Sequence, residues 1–300
     1  MNGKQLQYYN LPLPECDSND SNVNMDNQFE YMRETQYDKC SLRTDISTNE
    51  PRLTNEQRCV FDTVYNSVLR HDGKLFFIDA PGGTGKTFLL KLLLSKIRQE
   101  EKISLCVASS GIAATLLPGG RTAHSMFKLP LTIINNDLPV CNIKKGSEMA
   151  KLIQECKLIV WDECTMAHKK AIEALNRSLI DLTGKNDIMG RITIVFSGDF
   201  RQILPVVPRG TKTDEIRACI KSSILWEHVI RLKLTSNIRV QLSKEQDSDE
   251  FSKFLLDIGE GKLPIDENEQ ISLTNDFGKI IFNIPDLISS IYPDLTNVTL

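Results

Sequence analysis

No apolar stretch in this sequence approaches the ~20 residues that a membrane helix needs, so a helical membrane span is not expected. The opening residues, MNGKQLQYYNLPLPECDSND, show no basic segment leading into an apolar one, and predict no secretory signal. They are acidic rather than Arg-rich, and predict no mitochondrial transit peptide. Cysteine occurs at 16, 40, 59, 106, 141, 156, 164 and 219, never as C-x-x-C and never with zinc-ligand spacing. Such a set reads as reduced intracellular thiols. Histidine is scarce as well: His71, His168 and His228 have no metal-ligand companions and read as structural or exposed. No internal repeat is visible. Hydrophobic residues at 41% and charged residues at 25% nevertheless exclude a wholly disordered chain.

Charge is unevenly distributed. Residues 1–50 hold 4 basic and 9 acidic groups, residues 51–240 hold 28 and 18, and residues 241–300 hold 4 and 12. A body of net +10 is thus flanked by arms of −5 and −8. A basic body attracts phosphate backbones, whereas on its own it is equally an ordinary solvated surface.

Residues 1–50 are rich in Asn, Asp and Ser, and read as an acidic, mostly disordered arm. At Leu53 a pattern begins. Thr54 with Gln57 forms a capping-box signature, and Val60, Phe61, Val64, Val68 and Leu69 recur at helical spacing to about Arg70. Continuous apolar runs at 75–80, 103–109, 157–161 and 192–198 predict buried strands. Helices are predicted over 86–99, 111–117 and 169–182 between them. Such alternation predicts an α/β fold, a parallel sheet flanked by helices, over 51–240. Residues 241–300 read as an acidic, linker-like segment with one helix over 251–258 and polar loop around Pro264, Pro285 and Pro293.

Ala80-Pro81-Gly82-Gly83-Thr84-Gly85-Lys86-Thr87 falls between a predicted strand and a predicted helix, the context a phosphate-binding P-loop requires. Gly82, Gly83 and Gly85 let the backbone curl with its N–H groups inward, and the helix behind them aims its positive end at the anion. Lys86 adds a point charge, and the Thr87 hydroxyl is a candidate Mg²⁺ ligand. Ala80 stands where the strict pattern has Gly, which is tolerable at negative φ. The 157–161 strand ends in Asp162 and Glu163. Ligands of open α/β sheets bind at the carboxyl ends of strands. Asp162 is therefore a candidate for Mg²⁺ through its water shell, and Glu163 for the general base, although acids in this place also cap helices. Trp161 reads as core.

Several further strings share one resemblance. From about Leu53 to Pro264 the chain resembles the superfamily-one DNA helicases of the petite integration frequency (Pif) type, especially the helicase portions of Helitron transposons. Leu53-Thr54-Asn55-Glu56-Gln57 is similar to the family's adenine-reading motif, with Gln57 as the reader. Ser109-Ser110-Gly111-Ile112-Ala113-Ala114 and Gly120-Arg121-Thr122-Ala123-His124-Ser125 are similar to its single-strand contact segments. That implies DNA contacts at Ser109, Ser110, Gly111, Thr122, His124 and Ser125. Gly198-Asp199-Phe200-Arg201-Gln202-Ile203-Leu204-Pro205 is similar to the third motif, implying that Gln202 senses the γ-phosphate. Leu234-Thr235-Ser236-Asn237-Ile238-Arg239 is similar to the fourth, implying that Arg239 reaches that phosphate. FLLDIGEGKLP, 254–264, also resembles a family segment.

The resemblance implies a RecA-like P-loop NTPase domain that hydrolyses ATP with Mg²⁺ and moves 5′-to-3′ on single-stranded DNA. It implies work in DNA repair, recombination and telomere maintenance, with no membrane partner, in the nucleus or in mitochondria. Catalysis is expected at Lys86, Asp162, Glu163, Gln202 and Arg239, and nucleotide binding at Gln57 and at Gly82, Gly83, Thr84, Gly85, Lys86 and Thr87. Family members continue into a second RecA-like domain, for which residues 240–300 show no pattern. The expectation is a first motor domain that takes such a domain in trans. The alternative is a truncated or degenerate ATP- and DNA-binding module with negligible turnover and no unwinding.

Overall fold

The computed structural model describes residues 31–243, 248–267, 270–271, 278 and 281–293. The chain divides into two compact units, Met1–Gln246 and Asp247–Leu300.

The first unit is built on one sheet. Its strands are β1 (Leu75–Asp79), β2 (Ser104–Ala108), β3 (Arg121–Thr122), β4 (Leu158–Asp162), β5 (Thr193–Gly198) and β6 (Val229–Lys233). They pair in the order β3-β2-β4-β5-β1-β6, and every pair is parallel. β2, β4 and β5 are buried at every residue, as strands covered on both faces must be. Successive side chains alternate between faces. Phe76 and Ile78 join Val160 and Val195 in one core, against helices α2 (Asn55–Arg70) and α3 (Lys86–Gln99). Leu75 and Phe77 join Ile159, Trp161 and Phe196 in the other. That second core is covered by α6 (Glu148–Glu155) and α7 (Lys169–Thr183). Shorter helices α4 (Gly111–Thr115), α5 (Ala123–Phe127), α8 (Lys212–Ala218) and α9 (Ile238–Ser243) follow β2, β3, β5 and β6.

Local chemistry sets the boundaries. The Thr54–Gln57 capping box is formed in both directions and starts α2. His71 ends it at φ 53. Trp161 is buried, with its indole Nε1–H donating to Ser109 Oγ at 3.0 Å. The seven described cysteines are all free thiols.

The arm expected over 1–50 departs from its reading where it is described; residues 1–30 lie outside the described residues. Helix α1 (Lys39–Asn49) is capped by Asp38 and packs on α3, with Ile46 buried and Ser95 Oγ donating to Asp45 at 2.9 Å. Only one of its residues is buried, so no apolar period marks it in the sequence. In the second unit, the helix expected at 251–258 is part of α10 (Ser248–Gly259). Pro285, read as loop, instead opens α11 (Ile284–Ile291), where its missing N–H is not needed and Asn283 accepts from Asp286 N.

Candidate functional site

Because all strands are parallel, their carboxyl ends share one edge, and six of the sequence segments follow a strand there. The phosphate loop follows β1, Ser109–Gly111 follow β2, and Thr122 ends β3. Asp162 ends β4, Asp199–Gln202 follow β5, and Leu234–Arg239 follow β6.

A cavity of about 480 Å³ opens beside the loop, lined by Gly82, Gly83, Gly85, Lys86 and Thr87 together with Glu163, Gln202, Ile238, Arg239 and Leu242. Four expected residues from the segments that follow four different strands, Lys86, Glu163, Gln202 and Arg239, thus face one space. Gly83 and Gly85 sit at φ +88 and +77, where side-chain-bearing residues are strained. Space is a second reason for glycine. A Cβ on Gly83 would stand 2.3 Å from Asn237 Oδ1, and one on Gly85 2.4 Å from Gln57 Nε2. Ala80 stays out of the positive-φ region, which is why it can replace glycine there.

Lys86 Nζ lies 2.9 Å from Asp162 Oδ1 and also donates to Glu163 Oε1. Its side chain is largely buried. Burial favours the neutral amine, but the two carboxylates outweigh it and hold the pKa above the usual lysine value. Lys86 therefore stays cationic at neutral pH. Asp162 is fixed further by Ser197 Oγ, donating at 2.7 Å, and by the Glu163 N–H at 2.9 Å. Glu163 itself has φ 50, a conformation that turns the chain at the end of β4. Asp199 is buried and gathers the third motif: Arg201 N donates at 3.0 Å, Arg201 Nη1 at 3.1 Å, and Gln202 Nε2 at 3.3 Å.

Gln57 is 1% exposed and outside the cavity lining. Its Oε1 accepts from Thr54 N and its Nε2 donates to the Thr84 carbonyl at 3.0 Å, so both ends of the amide are engaged by the protein itself. Thr84 is buried too, its hydroxyl donating to the Pro81 carbonyl at 2.9 Å. Both shape the loop from behind.

The residues expected at DNA are gathered at the carboxyl ends of β2 and β3, apart from the cavity lining. Gly111, His124 and Ser125 are exposed. Ser110 caps α4 by accepting from Ala113 N, and Thr122 caps α5 by accepting from Ser125 N. Ser109 accepts the Trp161 indole. Glu56 was not singled out in the sequence, yet its carboxylate accepts from Thr235 N and Ser236 N at 2.8 and 3.2 Å. An acid in a first helical turn reads as a partner of the helix dipole, which hid this role.

The sequence pattern of PIF1-like helicases matches residues 52–269. The ATP-dependent DNA helicase PIF1 of Candida albicans is 27% identical over 220 residues, 71% of this chain and 23% of that protein. The ATP-dependent DNA helicase Pif1 of a Psychrobacter species is 30% identical over 138 residues, 46% of this chain and 21% of that one. Among solved structures, Pif1 helicase from Candida albicans is similar with a TM-score of 0.54 and 25% identity, over 71% of this chain and 45% of that chain. The Bacteroides Pif1 helicase in complex with ADP-AlF3 and ssDNA shares the fold, with a TM-score of 0.58 and 21% identity over 83% of this chain and 58% of that chain. This chain spans less than a third of these curated relatives.

Proposed function

Since the chain belongs to the PIF1-like helicase family, we propose that its first unit is the ATP-hydrolysing motor domain of a DNA helicase that moves on single-stranded DNA. The observation that carries this reading is the single cavity at the phosphate loop, which Lys86, Thr87, Glu163, Gln202 and Arg239 line together. ATP enters with its phosphates on the loop. The Lys86 ammonium exchanges carboxylate oxygens for phosphate oxygens, which frees Glu163. Glu163 takes a proton from the attacking water as its oxygen bonds to the γ-phosphorus, and ADP leaves with the bridging oxygen. Arg239 and Lys86 offset the charge that develops on the transferring group. Gln202, tied to Asp199, links the γ-phosphate to the body of the sheet.

The site also fits Mg²⁺. Thr87 lines the cavity, and Asp162 stands behind it on β4. Among the described residues no cluster of three or more His, Cys, Asp or Glu could hold a metal alone. Such an ion would be held by one or two protein groups with phosphate oxygens and water. The ion would neutralise charge on the phosphates. Single-stranded DNA would run over Ser109, Ser110, Gly111, Thr122, His124 and Ser125, and nuclear DNA in repair, recombination and telomere maintenance is the proposed setting. A titration with a fluorescent ATP analogue and a labelled oligonucleotide tests both halves of the reading. Binding of both, with nucleotide binding weakened in Lys86→Ala, is expected; a folded wild-type chain that takes up neither overturns it.

A further inference from the structure

β6 ends its pairing at Leu234, whose N–H donates to the Asp79 carbonyl at 3.0 Å. The next two backbone donors leave the sheet and have no strand to pair with. Glu56, in the first turn of α2, takes both. Oε2 accepts from Thr235 N at 2.8 Å and Ser236 N at 3.2 Å, and Oε1 accepts from the Thr235 hydroxyl. Directly after this grip the chain turns onto the phosphate loop. The Arg239 N–H donates to the Gly83 carbonyl at 3.0 Å, and Asn237 Oδ1 sits where a Gly83 side chain would be. On the other side of Glu56, Gln57 Nε2 donates to the Thr84 carbonyl at 3.0 Å. Two consecutive residues of one helical turn therefore hold, respectively, the Arg239 segment and the phosphate loop.

We propose that Glu56 is a positioning residue for phosphoryl transfer: by holding residues 234–236 it sets the Arg239 side chain against the phosphate loop. The inference rests on the reading of Arg239 as a group that acts on the γ-phosphate. The mechanism is one of placement. A carboxylate accepting three hydrogen bonds at the first turn of a fixed helix defines where α9 starts, and Arg239 lies one residue into α9. Misplacing a group by about 1 Å can lower a rate by about 10²-fold, without loss of ground-state binding. Glu56→Gln keeps the size of the side chain but replaces one acceptor oxygen by a donor that faces donors. Thr235→Val removes one of the three bonds from the opposite side.

The test is ATP turnover at saturating ATP, with single-stranded DNA, in wild type, Glu56→Gln, Thr235→Val, Arg239→Ala and the Glu56→Gln/Arg239→Ala double variant. ADP affinity and the melting temperature are measured alongside. The expected result is a kcat loss of about 10–100-fold in Glu56→Gln, a smaller loss in Thr235→Val, and ADP affinity unchanged in both. In the Arg239→Ala background, Glu56→Gln should cost nothing further, because residues that act as one unit are not additive. Losses that add fully, or wild-type kcat in Glu56→Gln, overturn the inference. Wild-type kcat in Arg239→Ala overturns the reading of Arg239 and this inference with it, so the two failures are told apart.

Discussion

Lys86 ion-pairs with Asp162 and Glu163, and an incoming phosphate group competes for the same ammonium. A hydrogen bond to a charged group contributes about 1.5–3 kcal/mol, so Lys86→Ala should weaken ATP binding by about 10–100-fold in a fluorescence titration. Glu163→Gln should leave the KM for ATP near wild type and lower kcat by about 10²–10⁴, because a general base acts in the transition state. Steady-state ATPase kinetics separate these outcomes. Glu56 carries a pH signature of its own. The Thr235 hydroxyl, then the Thr235 and Ser236 N–H groups, hold its carboxyl below the usual value of 4.5. A carboxylate with a lowered folded value contributes stability above the unfolded value and loses it as pH falls through the folded one. The stability gap between wild type and Glu56→Gln, read from urea melts, should therefore be full near neutrality and shrink below about pH 4.5; a gap that widens on acidification contradicts the grip. The phosphate loop and the acid pair were legible from residue types and spacing alone. Glu56 was not, since its partners Thr235 and Ser236 come from an element far away in sequence.

At the scale of elements, what could be read followed burial. β1, β2, β4 and β5 are continuous apolar runs because helices cover both their faces, and α2, α3 and α7 carry an apolar stripe at helical spacing. β6 escaped notice: Val229-Ile230-Arg231-Leu232-Lys233 is an edge strand, only partly buried, with two cations among its five residues. β3 is two residues long and carries no period at all. α1 was hidden because only one of its residues, Ile46, is buried. Its one buried apolar residue now makes a test. Replacing Ile46 by Ala removes a side chain that is 6% exposed, and should destabilise the first unit by about 2–5 kcal/mol in denaturant melts. A change within error would mean that α1 does not hold against α3 in solution. Near the end of α3, Arg98 donates to the carbonyls of Pro118 and Ser104 and lies 4.2 Å from the centre of the Tyr37 ring. Residues 31–52 are thereby tied to the loop that leads into β3.

For the whole molecule, the parallel sheet is what turns scattered motifs into a site, since six strands deliver six segments to one edge. The net charge of +10 over residues 51–240 surrounds that sheet, and the acidic flanks leave it as the anion-attracting part of the chain. Binding of a single-stranded oligonucleotide should weaken as salt rises, with a slope of about −0.7 in log affinity against log salt for each phosphate neutralised. An affinity indifferent to salt would place no phosphates on this body. The central claim, that this edge is an ATP-hydrolysing site coupled to a bound strand, is tested most directly by one measurement: the rate of phosphate release from ATP by the purified 300-residue chain, with and without single-stranded DNA, against Lys86→Ala. The account predicts Mg²⁺-dependent release that rises when the DNA is added and falls to background in the variant. Release no greater than that of Lys86→Ala, with and without DNA, would contradict it.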